Sequence, residues 1–381
     1  MGITLRDRIR GCLLGGAVGD ALGAGIEFAS WAQIRSEHGP DGVTGFVPAY
    51  GRLGAITDDT QMTAFTVEAL LRGSVRADRG VVSFPLALWF AYQRWLRTQD
   101  VTPVLDPPPP DSVWSSWLLE EPALQGRRAP GNTCLAGLAR PGMGTPLPAA
   151  CAASKGCGTV MRAAPFGLFA RPWVSPADCA GLAREGSALT HGHPTAGFSS
   201  GALAWAIRSL VDGVPLRAAV DGALAWLDAA GPDAAETAAM LRRGVGLGLD
   251  GGLPAPARIE ALGGGWVGEE ALAIGVACAL AALSGGPAGD PDDVQPDDVR
   301  GALLAAVNHG GDSDSTGSIC GQLLGAALGD EALPADWVID VEGRGVLLQL
   351  ADDLWYEVTR GEQLHSDLGP VTRWRSRYPG Y

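Results

Sequence analysis

The stretch Gly11-Cys-Leu-Leu-Gly-Gly-Ala-Val-Gly-Asp-Ala-Leu-Gly23 places glycine at every fourth position, at Gly11, Gly15, Gly19 and Gly23. Near the other end of the chain, Gly317-Ser-Ile-Cys-Gly-Gln-Leu-Leu-Gly-Ala-Ala-Leu-Gly329 does the same at Gly317, Gly321, Gly325 and Gly329. On a helix, positions i, i+4 and i+8 share one face. Each glycine there costs roughly 1 kcal/mol of helix propensity against alanine. Close approach of a neighbouring backbone offsets such a cost. The spacing therefore predicts two glycine-faced helices packed against each other, with Glu27, just beyond the first, brought close to the residues that precede the second.

The rest of the chain agrees with a helical reading. Apolar residues recur at helical spacing over Met62 to Leu71, Phe198 to Val211, Ala218 to Leu227, Ala271 to Leu283 and Ile319 to Leu328. Alternating β-branched runs are rare, so an all-α fold is expected. Two stretches rich in proline and glycine, 102–148 and 286–298, read as surface insertions between helices of a single domain spanning 1–381. At 46% hydrophobic and 18% charged residues the chain is globular. Its net charge of −14 disfavours nucleic acid or an anionic membrane as a partner held by a basic face. The seven cysteines form no C-x-x-C pair, which fits reduced thiols in a cytoplasmic protein. Neither a signal peptide nor a membrane span is read, and a monomer is favoured. Lys155 is the only lysine.

Two acidic clusters suggest the chemistry. Thr57-Asp58-Asp59-Thr60 and Asp312-Ser313-Asp314-Ser315-Thr316 each crowd carboxylates and hydroxyls together. Such carboxylates repel one another unless a cation lies between them, and all-oxygen ligand sets favour Mg²⁺, Mn²⁺ or Ca²⁺. Helix capping is the alternative role for Thr57 or Asp58. An EF-hand reading of Asp312 onward fails, because its twelfth position is Leu323 and not glutamate. Asp312, Asp314 and the Ser315 hydroxyl instead sit at the start of the second glycine-faced helix, positioned to face a metal.

Taken in order, the motifs resemble those of the ADP-ribosylglycohydrolase family, which includes arginine-directed hydrolases and the dinitrogenase reductase-activating glycohydrolase. Gly11 to Phe28 is similar to the family's opening helix and its glutamate, here Glu27, and Ile56 to Met62 to its T-D-D-T motif. Ser154-Lys-Gly-Cys-Gly-Thr-Val-Met-Arg162 resembles its substrate loop, and Thr190-His191-Gly-His193-Pro194 its T-H-x-H-P motif. Gly265 to Leu272 looks like a further family helix, and His309 to Gly317 resembles the H-G-G-D-S-D-S-T-G form of the arginine-directed branch.

The resemblance implies a single all-α domain around two Mg²⁺ (or Mn²⁺) ions. It implies Thr57, Asp58, Asp59, Asp312, Asp314 and Ser315 as metal ligands, with Glu27 as a further ligand or as part of the acid/base apparatus. Glu27, Asp58, Asp59 and Asp312 are the implied catalytic residues. Ser154, Lys155, Gly156, Cys157 and Gly158 are expected to hold the diphosphate and nearby ribose, through backbone N–H groups and the charge of Lys155. His191 is a candidate substrate contact or a satisfied core histidine, and Arg162 reads as a structural group. The implied reaction is hydrolysis of the bond from ADP-ribose to an acceptor on a protein or small molecule, with arginine as the expected acceptor. Serine-linked ADP-ribose, a free derivative, a nucleobase adduct and a catalytically silent binder are the alternatives. Two departures bear on the site: Cys157 stands where the family often has asparagine, and Pro130-Gly131-Asn132-Thr133 lacks the aspartate of a D-x-G-x-T-T segment.

Overall fold

Alanine, leucine and glycine at helical spacing, with few β-branched runs, leave helix as the element that buries most surface. The computed structural model describes residues 2–77, 80, 82–103, 105, 109–146, 148–283, 294–364 and 371–379. Among these residues there are seventeen α-helices and no sheet, only the isolated bridges Ala49–Arg52 and Gly156–Val267. The fold is the single all-α domain that the sequence leads one to expect. No helix among the described residues is long and apolar enough to cross a membrane.

The two glycine-faced helices, Leu5–Gly23 and Ser313–Leu328, lie antiparallel at the centre of the molecule. Gly11 faces Gly325, Gly15 faces Gly321 and Gly19 faces Gly317. A β-carbon at any of these positions would collide with a carbonyl of the opposite helix. The same register carries Gly23 onto Ser313 and Asp314. The end of the first helix, and Glu27 just beyond it, therefore meet the start of the second. Thr4 and Asp7 form a capping box that begins the first helix, and every position from Gly11 to Gly23 is buried.

Around this pair pack helices Asp58–Ala77, Pro194–Val211, Gly268–Leu283, Pro296–Val307 and Arg344–Leu364. The expectation of a surface insertion at 102–148 is corrected in part. The 3₁₀ turns Asp111–Trp114, Trp117–Glu120 and Pro122–Leu124 and the helix Asn132–Leu138 bury Val113, Leu118, Leu124, Cys134 and Leu138 in the core. Buried arginines hold the segment down: Arg94 donates to the Val113 carbonyl, and Arg72 to those of Ser112 and Ser115. Both also pair with Glu68. Burial alone would raise the Glu68 carboxyl, but Arg94 and Arg72 outweigh it and hold the group below its usual range. Of the second expected insertion, 286–298, residues 286–293 lie outside the described residues, and Pro296 opens a helix.

Candidate active site

Helix Asp58–Ala77 begins against the opening helix, and Asp20 makes that junction. Fully buried, Asp20 accepts the N–H groups of Thr57 at 3.0 Å and Thr60 at 3.1 Å, and the Thr60 hydroxyl at 2.5 Å. A side chain from another helix thus does much of the capping. The Thr57 hydroxyl does part of it locally, accepting from Asp59 N at 3.2 Å. The side chains of Asp58 and Asp59 are left to face a cavity, with Gly131 N 3.4 Å from Asp58 Oδ2. Asp20 escaped the sequence reading as a site residue. Its signal was a lone carboxylate in the otherwise uncharged stretch from Gly11 to Gly23.

The second cluster is positioned from its backbone. Asp312 N donates to the Gly264 carbonyl at 2.8 Å. Asp312 is the residue just before helix Ser313–Leu328, yet its side chain makes no capping hydrogen bond. Its Oδ2 instead lies 2.6 Å from the Cys157 thiol. Asp314 accepts from Ser315 N at 3.0 Å. His309 is fully buried against the Thr316 hydroxyl, 3.0 Å away, and acts as a support behind the cluster.

Both clusters open on one cavity of about 290 Å³. Asp58 and Asp59 line it from one side and Asp312, Asp314 and Ser315 from the other, with Glu27 beside them. Carboxylate oxygens of Glu27, Asp312 and Asp314 all lie within 4.8 Å of one another. No lysine or arginine lines the cavity among the described residues. Burial pushes these carboxyls up, and repulsion by Asp314 adds to it at Glu27, Asp58, Asp59 and Asp312. Glu27 rises to about 11 through burial and the charges of Asp314, Asp312, Asp58 and Asp20, and Asp20 to about 7. Asp58, Asp59 and Asp312 are held well above the usual range, and Asp314 is raised as well. Glu27 Oε2 and Asp59 Oδ2 are buried with no hydrogen-bond partner. Orphaned, repelling, all-oxygen donors are what a hard divalent cation satisfies, so these residues fit Mg²⁺ or Mn²⁺. Thr57 is buried behind the cavity and does not line it.

The loop from Ser154 to Gly158 contributes its second half to the cavity. Gly156, Cys157 and Gly158 line it together with His191. Two main-chain hydrogen bonds fix the loop, from Cys157 N to the Trp266 carbonyl and from Gly268 N to that of Lys155, and together they form the bridge between Gly156 and Val267. Ser154 does not line the cavity, and its hydroxyl lies 3.1 Å from that of Thr133. Lys155 points away from it, pairing with Glu236 at 2.6 Å and more tightly with Glu269. Its charge fastens the loop to two helices. His191 Nδ1 is 2.8 Å from the Thr190 hydroxyl, to which buried Arg162 also donates. Burial, and then the Arg162 charge, lowers His191 to about 3, so the ring is neutral.

The sequence pointed to part of the remaining wall, Pro130 to Thr133, only through its missing aspartate. Ala129 to Cys134, from the segment expected to be an insertion, close one side. Phe28 and Trp266 also line the cavity. They stack at 5.7 Å with an 18° interplanar angle while staying 74% and 43% exposed. Exposed, stacked rings beside a charged pocket are the available signal, and it appears only in three dimensions.

Known proteins resemble this chain along most of its length. The model of a family described as ADP-ribosylglycohydrolase matches residues 1–363. The chain is 24% identical over 347 residues to ADP-ribosyl-[dinitrogen reductase] glycohydrolase of Rhodospirillum rubrum, covering 88% of this chain and 91% of that protein. A solved structure described as an ADP-ribosylglycohydrolase-related protein complex is similar with a TM-score of 0.60 and 26% identity, covering 93% of this chain and 99% of that one.

Proposed function

The chain belongs to the ADP-ribosylglycohydrolase family and is a glycosidic-bond hydrolase, and from that premise we propose that it removes ADP-ribose from arginine side chains of proteins with the help of Mg²⁺ or Mn²⁺. The observation that carries the metal dependence is the convergence of Glu27, Asp312 and Asp314 on one cavity that also holds the orphaned Asp59 Oδ2. Asp58, Asp59, Asp312, Asp314 and Ser315 would hold the ions, with Thr57 supporting them from behind. When bound, the ions supply Lewis-acid polarisation of ribose hydroxyls and of a water.

The protein's own groups do the rest. The carboxylates set a negative field where an oxocarbenium-like centre develops, which stabilises it. Glu27 stands beside the cluster with Oε2 unpartnered, and that makes it the group to move a proton to the leaving nitrogen. Backbone at Gly156 to Gly158 approaches the diphosphate, because these residues present no long side chain to the cavity other than the Cys157 thiol. Neutral His191 offers Nε2 next to Gly156 without adding charge.

Three features support arginine on a protein as the acceptor. The His309 to Gly317 sequence resembles the form of the arginine-directed branch. The relative's name describes an ADP-ribosylated protein as its substrate. The Phe28–Trp266 stack offers aromatic faces to a guanidinium at the cavity mouth. The seven cysteines are all unpaired, which supports a reducing, cytoplasmic setting.

The test is release of ADP-ribose from proteins carrying arginine- or serine-linked ADP-ribose, with Mg²⁺, with Mn²⁺ and with chelator. Arginine-linked substrate is expected to turn over only with metal. Asp59→Asn and Asp312→Asn should each lose roughly 10²-fold or more of the rate, and Glu27→Gln a similar amount. Preferential cleavage of the serine linkage would move the assignment to that acceptor. Full activity in chelator would remove the metal.

A further inference from the structure

Cys157 stands where soft and hard donors meet. Its Sγ lies 2.6 Å from Asp312 Oδ2 and 3.7 Å from Ser315 Oγ, and it borders the same cavity as Asp59 and Glu27. Asp59 is 2% exposed and Glu27 7%, and each has a buried carboxylate oxygen without a partner. The thiol is held in place by the main chain. Cys157 N donates to the Trp266 carbonyl, and Gly156 pairs with Val267, so the sulfur stays at the carboxylates unless the loop unzips. Cys134 also borders the cavity, but its sulfur is turned to Arg162 at 3.4 Å and to the Gly158 carbonyl at 3.8 Å.

Carboxylate and hydroxyl oxygens suit Mg²⁺ and Mn²⁺, whereas a thiolate selects softer ions. Zinc accepts sulfur and carboxylate oxygen in one coordination set. We infer that Cys157 gives this site a second metal preference: with Asp312 and Asp59 it takes up a thiophilic divalent cation, Zn²⁺ or Cd²⁺, in competition with the hard ion. The inference rests on the reading that the acidic cluster binds divalent cations. The thiol proton passes to solvent as the metal–sulfur bond forms. The site then doubles as a zinc-sensitive one, in which the soft ion displaces the ion that supports hydrolysis.

The experiment is titration of the metal-free full chain with Cd²⁺, reading the ultraviolet sulfur-to-cadmium charge-transfer band. Alongside it, Zn²⁺ is competed against bound Mn²⁺, followed by electron paramagnetic resonance. The band is expected in the wild type and in Cys134→Ser, and is expected to vanish in Cys157→Ser and in Cys157→Asn. Zn²⁺ should displace Mn²⁺ from the wild type at a concentration lower by about tenfold or more than from either Cys157 variant. Two replacements of different size guard against misfolding of one of them, with circular dichroism as the check. A band that survives both Cys157 replacements, or equal Zn²⁺ competition in all forms, overturns the inference. Tight Mn²⁺ binding without any cadmium band overturns it while leaving the metal-dependent reading intact. Binding of neither ion overturns both.

Discussion

At the scale of single residues, the site is made by side chains relieved of other duties. Asp20 caps a helix that is not its own, and this leaves Asp58 and Asp59 free to face the cavity. Asp312 sits at a cap position without capping. Lys155, the expected phosphate partner, is instead held by Glu236 and Glu269. His191 gives a pH prediction. Its folded-state value of about 3 lies below the ordinary 6.5, so the folded state takes up its proton later than the unfolded chain. The stability linked to it is fully present above pH 6.5 and is lost as pH falls towards 3, by up to about 1.4 kcal/mol per pH unit. Urea unfolding of wild type and His191→Gln across that range is expected to show a shallower acid slope in the variant. Identical slopes would mean that the ring is protonated in the folded protein.

At the scale of elements, the central pair of helices trades helix propensity for proximity. Gly19 meets the Gly317 carbonyl so closely that a methyl group has no room, whereas exposed Gly246, in helix Ala235–Gly248, has nothing near its β-position. The two glycines therefore respond oppositely to the same change. Gly19→Ala is expected to destabilise by about 1–3 kcal/mol through overpacking and to weaken Mn²⁺ binding, since it pushes Glu27 away from Asp314. Gly246→Ala is expected to stabilise by up to about 1 kcal/mol. Chemical denaturation measures both, and equal effects would show that the glycine face is not a packing device.

At the scale of the whole molecule, the buried acidic cavity makes the metal-free protein less stable than its core would allow. Burial raises every carboxyl of the cluster, and the charge of Asp314 raises Glu27, Asp58, Asp59 and Asp312 further. Saturating Mg²⁺ should raise the unfolding temperature, by the equivalent of about 2.7 kcal/mol at a hundredfold excess over Kd. Asp314→Asn should raise the unfolding temperature in chelator and remove most of the Mg²⁺ response. Differential scanning calorimetry with and without metal reads both. A variant that is less stable in chelator would show that Asp314 is a structural residue rather than a repelling ligand.

Residue types and spacing alone determined that this chain is helical, that its first and last glycine-faced segments pair, and that two oxygen-rich clusters stand at helix starts. These are local properties: a period of four is written into neighbouring residues, and an aspartate at a helix start needs no distant partner to be recognised. Only the tertiary structure decided which of these groups share a cavity. The antiparallel register of the two helices delivers Glu27 to Asp314, and the 129–134 segment, read as an insertion, becomes a wall. Lys155 was misplaced for the same reason. The direction of a side chain depends on which remote groups satisfy its hydrogen bonds and charge, and those partners lie on elements far away in sequence.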